Sequence, residues 1–159
     1  MKPEIKELIE ISKYYGSNKD YAIAGGGNTS FKDDETIWIK ASGQYLAEMN
    51  EEGLVALNRK KLHLISSGTY SEDPVIREEQ VKDDLLRSIV DPVKKMRPSV
   101  ETSLHEIIQY KFVVHLHPTL INGILCSRNA KSLTQKLSGK VYFLYPIQIR
   151  VIHFLRSLN

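Results

Sequence analysis

The segment Lys111-Phe112-Val113-Val114-His115-Leu116-His117-Pro118 predicts the strand around which the rest of the chain is arranged. Residues 112–114 favour a β-strand, and Pro118 ends it because proline cannot donate to a sheet ladder. Side chains two positions apart project from the same face of a strand, so His115 and His117 should lie side by side. Zinc accepts imidazole nitrogens at about 2.0–2.1 Å. The pair is therefore either a metal-binding pair or two ordinary edge-strand histidines.

Strands and helices are mixed along the whole chain, which predicts an α/β fold. Predicted strands cover residues 21–24, 36–40, 54–57, 111–117 and 141–145, and predicted helices cover residues 3–15, 74–89, 101–110, 119–126 and 129–137. Asp73 is the expected N-cap of the second helix, with Pro74 in its first turn, and Gly16 is the expected C-cap of the first. No repeat or linker divides the chain, so we expect one domain over residues 1–159.

Composition narrows the classes of function. The chain has 159 residues, a net charge of +3 and one cysteine, so it has no internal disulfide. It lacks both a signal-peptide core and an apolar run of the roughly 20 residues that span a membrane. All 19 acidic residues lie at or before Glu106, but the basic residues after it are scattered and no nucleic-acid motif accompanies them. We expect a cytoplasmic protein that binds neither membrane nor nucleic acid.

Two turns of small residues follow predicted strands. The first, Gly25-Gly26-Gly27-Asn28-Thr29-Ser30, lets backbone N–H groups turn toward an anion without obstruction by Cβ atoms. It lacks the lysine of a Walker loop and the spacing of a dinucleotide fingerprint. The second turn is Lys40-Ala41-Ser42-Gly43. Either turn is an anion-binding loop or simply a flexible connection.

The segment Arg97-Pro98-Ser99-Val100-Glu101-Thr102-Ser103 leads into the third predicted helix. A carboxylate at a helix start is stabilised by the helix dipole, so Glu101 is either a helix-end charge or a functional group that faces the two histidines. The helix is expected to point Leu104, Ile107 and Ile108 inward. Its His105 is interpreted as a surface or packing histidine.

These four features, in this order, are similar to the class II aldolase/adducin family. Residues 25–30 match the family's Gly-Asn-x-Ser phosphate loop, in the Gly-Gly-Gly-Asn-Thr-Ser form of rhamnulose-phosphate-aldolase-like members. Residues 39–43 match its second anion-binding turn, residues 97–102 its acid/base segment, and residues 114–118 its paired zinc ligands. The resemblance covers about residues 5–144.

The resemblance implies a three-layer αβα sandwich with a central, mostly antiparallel sheet, assembled as a homo-oligomer, usually a tetramer. It also implies a Zn²⁺ cofactor that acts as a Lewis acid on a small sugar phosphate. Dihydroxyacetone phosphate and an aldehyde such as lactaldehyde would be the products. The implied residues are Glu101 as the catalytic acid/base, His115 and His117 as metal ligands, and Gly27, Asn28, Ser30, Ser42, Gly43 and Ser99 as phosphate-binding residues.

Two departures from the family pattern leave the activity open. Val100 stands where fuculose-type aldolases carry a second phosphate-binding serine. The family also completes its zinc site with a third histidine followed by glycine, and this chain has no His-Gly pair; its only later histidine is His153. The alternatives are an aldolase with another third ligand, a C-terminally truncated and impaired member, an adducin-like domain without catalysis, and a pentulose-phosphate epimerase.

The resemblance disappears after residue 144, and we expect residues 145–159 to be a divergent tail produced by a frameshift. Of the last 20 residues, 12 are Val, Ile, Leu, Phe or Tyr, and none is acidic. A coding sequence for residues 146–153, read two bases later, gives a Pro-Gly-containing segment like that of related aldolases. The gene sequence tests this: downstream DNA should encode, in a shifted frame, a continuation with a His-Gly segment.

Overall fold

The structure, a computed structural model, describes residues 1–138. Helices in this part of the chain are α1 (Pro3–Gly16), α2 (Arg59–Ser67), α3 (Pro74–Arg87), α4 (Thr102–Ile107), α5 (Thr119–Leu125) and α6 (Ala130–Ser138). The strands are β1 (Asn28–Lys32), β2 (Thr36–Lys40), β3 (Leu54–Asn58) and β4 (Phe112–His115). The predicted strand at 141–145 and the tail at 145–159 lie outside the described residues.

The four strands form one antiparallel sheet in the order β3-β2-β1-β4. The outer strands β3 and β4 come from distant parts of the sequence. Strand β4 pairs with β1, β1 pairs with β2, and β2 pairs with β3. In the β1–β4 pair, Asn28 lies opposite His115 and Ser30 lies opposite Val113. This register places the end of the glycine-rich turn directly beside the histidine pair.

Helices cover both faces of the sheet, as an αβα sandwich requires. Helix α1 packs on one face through Ile5 and Leu8, against a cluster that includes Phe31, Leu46 and Leu54. The other face carries a cluster of Ile37, Ile39, Ala41, Val55, Leu57, Leu62, Ile65, Val81 and Leu85, which joins the sheet to α2 and α3. The predicted fold class is therefore confirmed. Within residues 1–138, no helix has the length and apolar character needed to cross a membrane.

The predicted strand at residues 21–24 is wrong. Tyr21 and Ala24 lie in turns, and Ala22 and Ile23 have no regular structure. Ala24 also has a φ of 52°, which a strand does not contain. The strand begins later, at Asn28, and all five of its residues are buried. Its sequence, Asn-Thr-Ser-Phe-Lys, is mostly polar, so hydrophobic patterning favoured the preceding apolar residues instead.

The two predicted helix ends have different outcomes. Asp73 caps α3 as expected: its Oδ1 accepts hydrogen bonds from the backbone N–H groups of Val75 at 2.8 Å and Ile76 at 3.1 Å. Gly16 is not a C-cap but the last helical residue of α1. A Cβ at this position would lie 2.2 Å from the backbone nitrogen of Ala47, so glycine is needed for close packing.

Candidate functional site

The two histidines at the end of β4 lie side by side, as the strand periodicity predicted. Their Nε2 atoms are 3.2 Å apart, and their ring centroids are separated by 4.8 Å. Two nitrogens bound tetrahedrally to one zinc ion at 2.0–2.1 Å are about 3.3 Å apart. The spacing of His115 and His117 therefore fits a pair of ligands to a single ion.

Glu101, which directly precedes helix α4, faces the other side of the His115 ring. Its Oε1 lies 3.1 Å from His115 Nδ1. Burial alone would raise the pKa of this carboxyl, but the contacts with His115, the Asn28 amide and the His105 ring prevail and lower it to about 2. Glu101 is thus held as a carboxylate, in the place where it can orient a metal-binding imidazole.

His105 lies next to this pair, and the sequence analysis did not assign it a chemical role. It is fully buried, at 0% exposure, so of the two interpretations, a surface or a packing histidine, the surface one is wrong. The Nδ1 atom lies 2.8 Å from Ser30 Oγ, whereas Nε2 has no hydrogen-bond partner among residues 1–138. Burial lowers the pKa of the ring to about 4, so it is neutral near pH 7. Three side chains offer one possible metal-ligand atom each, and these atoms lie within 4.8 Å of one another: Glu101, His105 and His115.

The glycine-rich turn packs directly against the histidine strand. Gly27 has a φ of 77°, and a Cβ at that position would lie 3.0 Å from the carbonyl oxygen of His115. Glycine is therefore needed for both the conformation and the close approach. Asn28 follows as a buried residue, and its Oδ1 has no hydrogen-bond partner in the described part of the chain. The turn thus places the Asn28 side-chain amide beside Glu101 and the histidines.

The second small-residue turn is connected to the first by a lysine that the sequence analysis also left without a role. Lys40 is buried, and its Nζ donates to the carbonyl oxygens of Gln44 at 2.9 Å and Gly25 at 3.4 Å. Burial lowers its pKa, and Glu101 acts in the opposite direction. Ser42 and Gly43 are exposed at the turn. A positive charge therefore sits between the two turns.

Two of the predicted phosphate-binding hydroxyls already have partners within the protein. Ser30 Oγ contacts His105, as described above. Ser99 Oγ accepts a hydrogen bond from the Glu101 backbone N–H at 3.2 Å, which helps to fix the start of α4. The structure thus gathers Asn28, Glu101, His105, His115 and His117 in one place. Phosphate binding by Gly27, Asn28, Ser30, Ser42, Gly43 and Ser99 stays a prediction.

A sequence signal for His105 existed. Glu101 and His105 are four positions apart, and residues with this spacing lie on one face of a helix. Lys40 gave no comparable signal, because the end of an amphipathic strand is an ordinary place for a solvated lysine. Only the burial of its ammonium group distinguishes it.

Known proteins share this architecture. The chain is 31% identical over 155 residues to a Bacillus subtilis (strain 168) protein named uncharacterized oxidoreductase YuxG. The matched region covers 89% of this chain but only 21% of that protein, so the chain spans about a fifth of the relative's length. The N-terminal class II aldolase domain of a conserved Thermoplasma acidophilum protein aligns with a TM-score of 0.75 and 25% identity, covering 99% of this chain and 76% of that chain. L-fuculose 1-phosphate aldolase shares the fold at a TM-score of 0.52 and 20% identity, covering 79% of this chain and 50% of that chain.

The sequence profile described as Class II Aldolase and Adducin N-terminal domain matches residues 6–156. This range extends beyond residue 144, where the sequence analysis ended the resemblance, and the origin of residues 145–159 stays a prediction. The match covers nearly the whole chain, and the αβα sandwich agrees with it. The chain therefore belongs to the class II aldolase and adducin N-terminal domain family.

Proposed function

We propose that this domain performs zinc-dependent cleavage of a small ketose 1-phosphate to dihydroxyacetone phosphate and an aldehyde such as lactaldehyde. One observation carries the proposal: a carboxylate, Glu101, contacts one nitrogen of His115, whose other nitrogen lies 3.2 Å from His117. A non-catalytic interaction domain has no need for this combination. The fold relationship to L-fuculose 1-phosphate aldolase supports the same substrate class.

The residues present suit such a reaction. His115 and His117 would hold the ion, and Glu101 would orient His115 from the side away from it. A bound Zn²⁺ supplies Lewis-acid polarisation of a substrate carbonyl oxygen. The pKa of about 2 keeps Glu101 a carboxylate in the metal-free chain. To accept a proton from carbon in the aldol direction, it would have to turn from His115 Nδ1 toward the substrate. In the cleavage direction the same group would return that proton.

The phosphate would lie against the two small-residue turns. Gly27, Asn28, Ser42 and Gly43 offer backbone N–H groups and an amide, and Ser30 and Ser99 flank them. Lys40 contributes a positive charge between the turns, which favours an anionic over a neutral sugar. A homo-oligomer, expected from the family, would place several such sites in one assembly.

The test is a cleavage assay on the zinc-loaded chain with fuculose 1-phosphate and rhamnulose 1-phosphate. Formation of dihydroxyacetone phosphate is followed through its enzymatic reduction. We expect product that depends on zinc and is lost in Glu101→Gln, whereas His63→Ala, a histidine outside the site, behaves as wild type. The proposal fails if the zinc-loaded chain neither forms product nor binds phosphoglycolohydroxamate. Interconversion of pentulose phosphates without cleavage would identify an epimerase instead.

A further inference from the structure

We propose that the domain also has an inner binding position for a divalent transition metal, formed by the Glu101 carboxylate, His105 Nε2 and His115 Nδ1. This position lies on the opposite side of the His115 ring from the pair of Nε2 atoms of His115 and His117, which we call the outer position. The proposal shares His115 with the proposed function but does not require that sugar phosphates are cleaved.

The spacing of the three groups suits one bridging ion. One ligand atom of each residue lies within 4.8 Å of a ligand atom of each of the other two, and Glu101 Oε1 and His115 Nδ1 are already 3.1 Å apart. An atom at the centre of a triangle with 4.8 Å sides would be roughly 2.8 Å from each corner, so a contraction of less than 1 Å gives the usual zinc–ligand distances of about 2.0–2.2 Å. Direct contact between His105 and the other two groups would need a larger movement.

The free nitrogen of His105 is the independent observation that points to a ligand. The side chain is fully buried, and its Nε2 has no hydrogen-bond partner among the described residues. An unpaired buried polar atom costs about 1–3 kcal/mol, so native proteins rarely leave one without a purpose. Ser30 Oγ, 2.8 Å from Nδ1, would accept its N–H and direct the Nε2 lone pair toward Glu101 and His115.

The inner and outer positions exclude each other for a single ion. Occupying both would require His115 to bind metal through both ring nitrogens and to lose both N–H protons. The two positions also differ in access, because His105 is buried whereas His117 is exposed. In the inner position Glu101 is a ligand and cannot accept a proton from substrate. An ion held there would therefore occupy the carboxylate that the proposed function requires to be free.

The donor set selects the class of metal. Two imidazoles and one carboxylate suit Zn²⁺ and Co²⁺, whereas Mg²⁺ and Ca²⁺ prefer oxygen ligands alone. The position also supplies, from residues 1–138, three protein ligands of the kind that catalytic zinc sites contain. The chain therefore has a way to hold zinc that does not depend on a downstream histidine.

The test is Co²⁺ titration of the metal-free chain, followed by the visible absorption of the bound ion. His105→Asn retains a polar atom near Ser30 and removes Nε2, and we expect it to weaken Co²⁺ binding at least about tenfold. His117→Asn removes one outer ligand and leaves the three inner ligands intact, so a Co²⁺ ion should still bind in this variant. Adding His105→Asn to it should weaken that remaining binding at least about tenfold, and His63→Asn is the matched control outside the site. The proposal is overturned if His105→Asn binds as wild type, if His117→Asn no longer binds Co²⁺, or if adding His105→Asn to His117→Asn leaves the affinity unchanged.

A second measurement needs no substitution. In the ¹⁵N-histidine-labelled chain, added Zn²⁺ should shift the imidazole resonances of His105 Nε2 and His115 Nδ1. Shifts confined to the Nε2 atoms of His115 and His117 would refute the inner position. This readout is separate from the cleavage assay, so an absence of sugar cleavage with the inner shifts present would refute the proposed function alone.

Discussion

Helix α4 has a glutamate at each end, and the two are held in opposite ways. Glu106, with a side chain 3% exposed, accepts from Arg59 Nε at 2.8 and 3.1 Å and lies 2.9 Å from His63 Nε2. Glu101 is less buried and, within residues 1–138, has a single ion-pair-type contact, with His115 at 3.1 Å. Its surroundings include Nε2 of His105 and Oδ1 of Asn28, neither of which has a hydrogen-bond partner in the described part of the chain.

The different partners of Glu106 and Glu101 distinguish a carboxylate that stabilises the fold from one that can bind a ligand or exchange a proton. A buried carboxylate that is paired by an arginine ties α4 to α2 and has less capacity left for a ligand. A carboxylate surrounded by groups that still have free donors or acceptors retains that capacity. The same contrast applies to the neighbouring lysines: Lys32 donates to the carbonyl oxygens of His105 and Glu106 within the helix end, whereas Lys40 lies between the two turns of the site.

The largest expected effect is on stability, from Glu106→Gln. Removal of this charge leaves the Arg59 guanidinium without its carboxylate partner, and breaking such a buried pair typically costs about 3–5 kcal/mol. We expect Glu101→Gln, the matched change at the other end of α4, to cost less, about 1.5–3 kcal/mol, as for loss of a hydrogen bond to a charged group. Urea denaturation of both variants measures the free energies of unfolding. Equal losses would show that the two carboxylates are not distinguished by their partners.

The second effect is on catalysis, where Glu101→Gln should cause a larger loss than Glu106→Gln. Glu101→Gln removes the group that exchanges a proton with carbon, so the cleavage rate at saturating zinc should fall about 10²–10⁴-fold, the usual range for a general acid/base. The folded fraction should stay near that of wild type, as judged by circular dichroism. If the rate is retained, Glu101 does not move the proton.

The third effect is the pH dependence of stability in the metal-free chain. Burial lowers the pKa of His105 to about 4, below its unfolded value of about 6.5, so the unfolded chain binds more protons between these two values. The neutral buried ring therefore contributes fully above pH 6.5, and this contribution falls as pH decreases toward 4, by up to about 3 kcal/mol. His105→Asn should flatten the curve in this interval. An unchanged slope in the variant would assign the acid sensitivity to another group.

The apolar framework could be predicted from sequence because it follows hydrophobic periodicity. Strands β2 and β3 and the Asp73-capped helix α3 were expected within a few residues of their observed positions, since each combines an apolar pattern with a clear boundary signal. The paired histidines were equally accessible, because their spacing in the predicted strand put them side by side, and they lie so although β4 ends at His115. The resemblance to a known family then supplied the order of the layers.

The polar interior could not be predicted in the same way. Strand β1 is buried but mostly polar, and the predicted strand was placed in the apolar residues before it. Helix α4 was expected to point Leu104, Ile107 and Ile108 inward, yet Thr102, Ser103, His105 and Glu106 are its buried residues. Periodicity identifies the apolar face of an element, whereas a site buries polar side chains for which partners come from distant segments. Those partners become visible only in three dimensions.

The smallest expected effect comes from His63→Ala, and it tests which partner secures Glu106. The His63 side chain is 67% exposed, so its contact with Glu106 Oε1 is screened by water and should contribute about 0.5 kcal/mol or less. Arg59 keeps both of its contacts with the carboxylate in this variant, and the fold should be retained. Urea denaturation at pH 7 gives the change, with Arg59→Ala as the counterpart that should approach the loss in Glu106→Gln. If His63→Ala were as destabilising as Arg59→Ala, Glu106 would depend on an exposed imidazole for its pairing. Its carboxylate would then resemble that of Glu101 in having a titratable, solvent-facing partner, and the division of α4 into a structural end and a chemical end would fail.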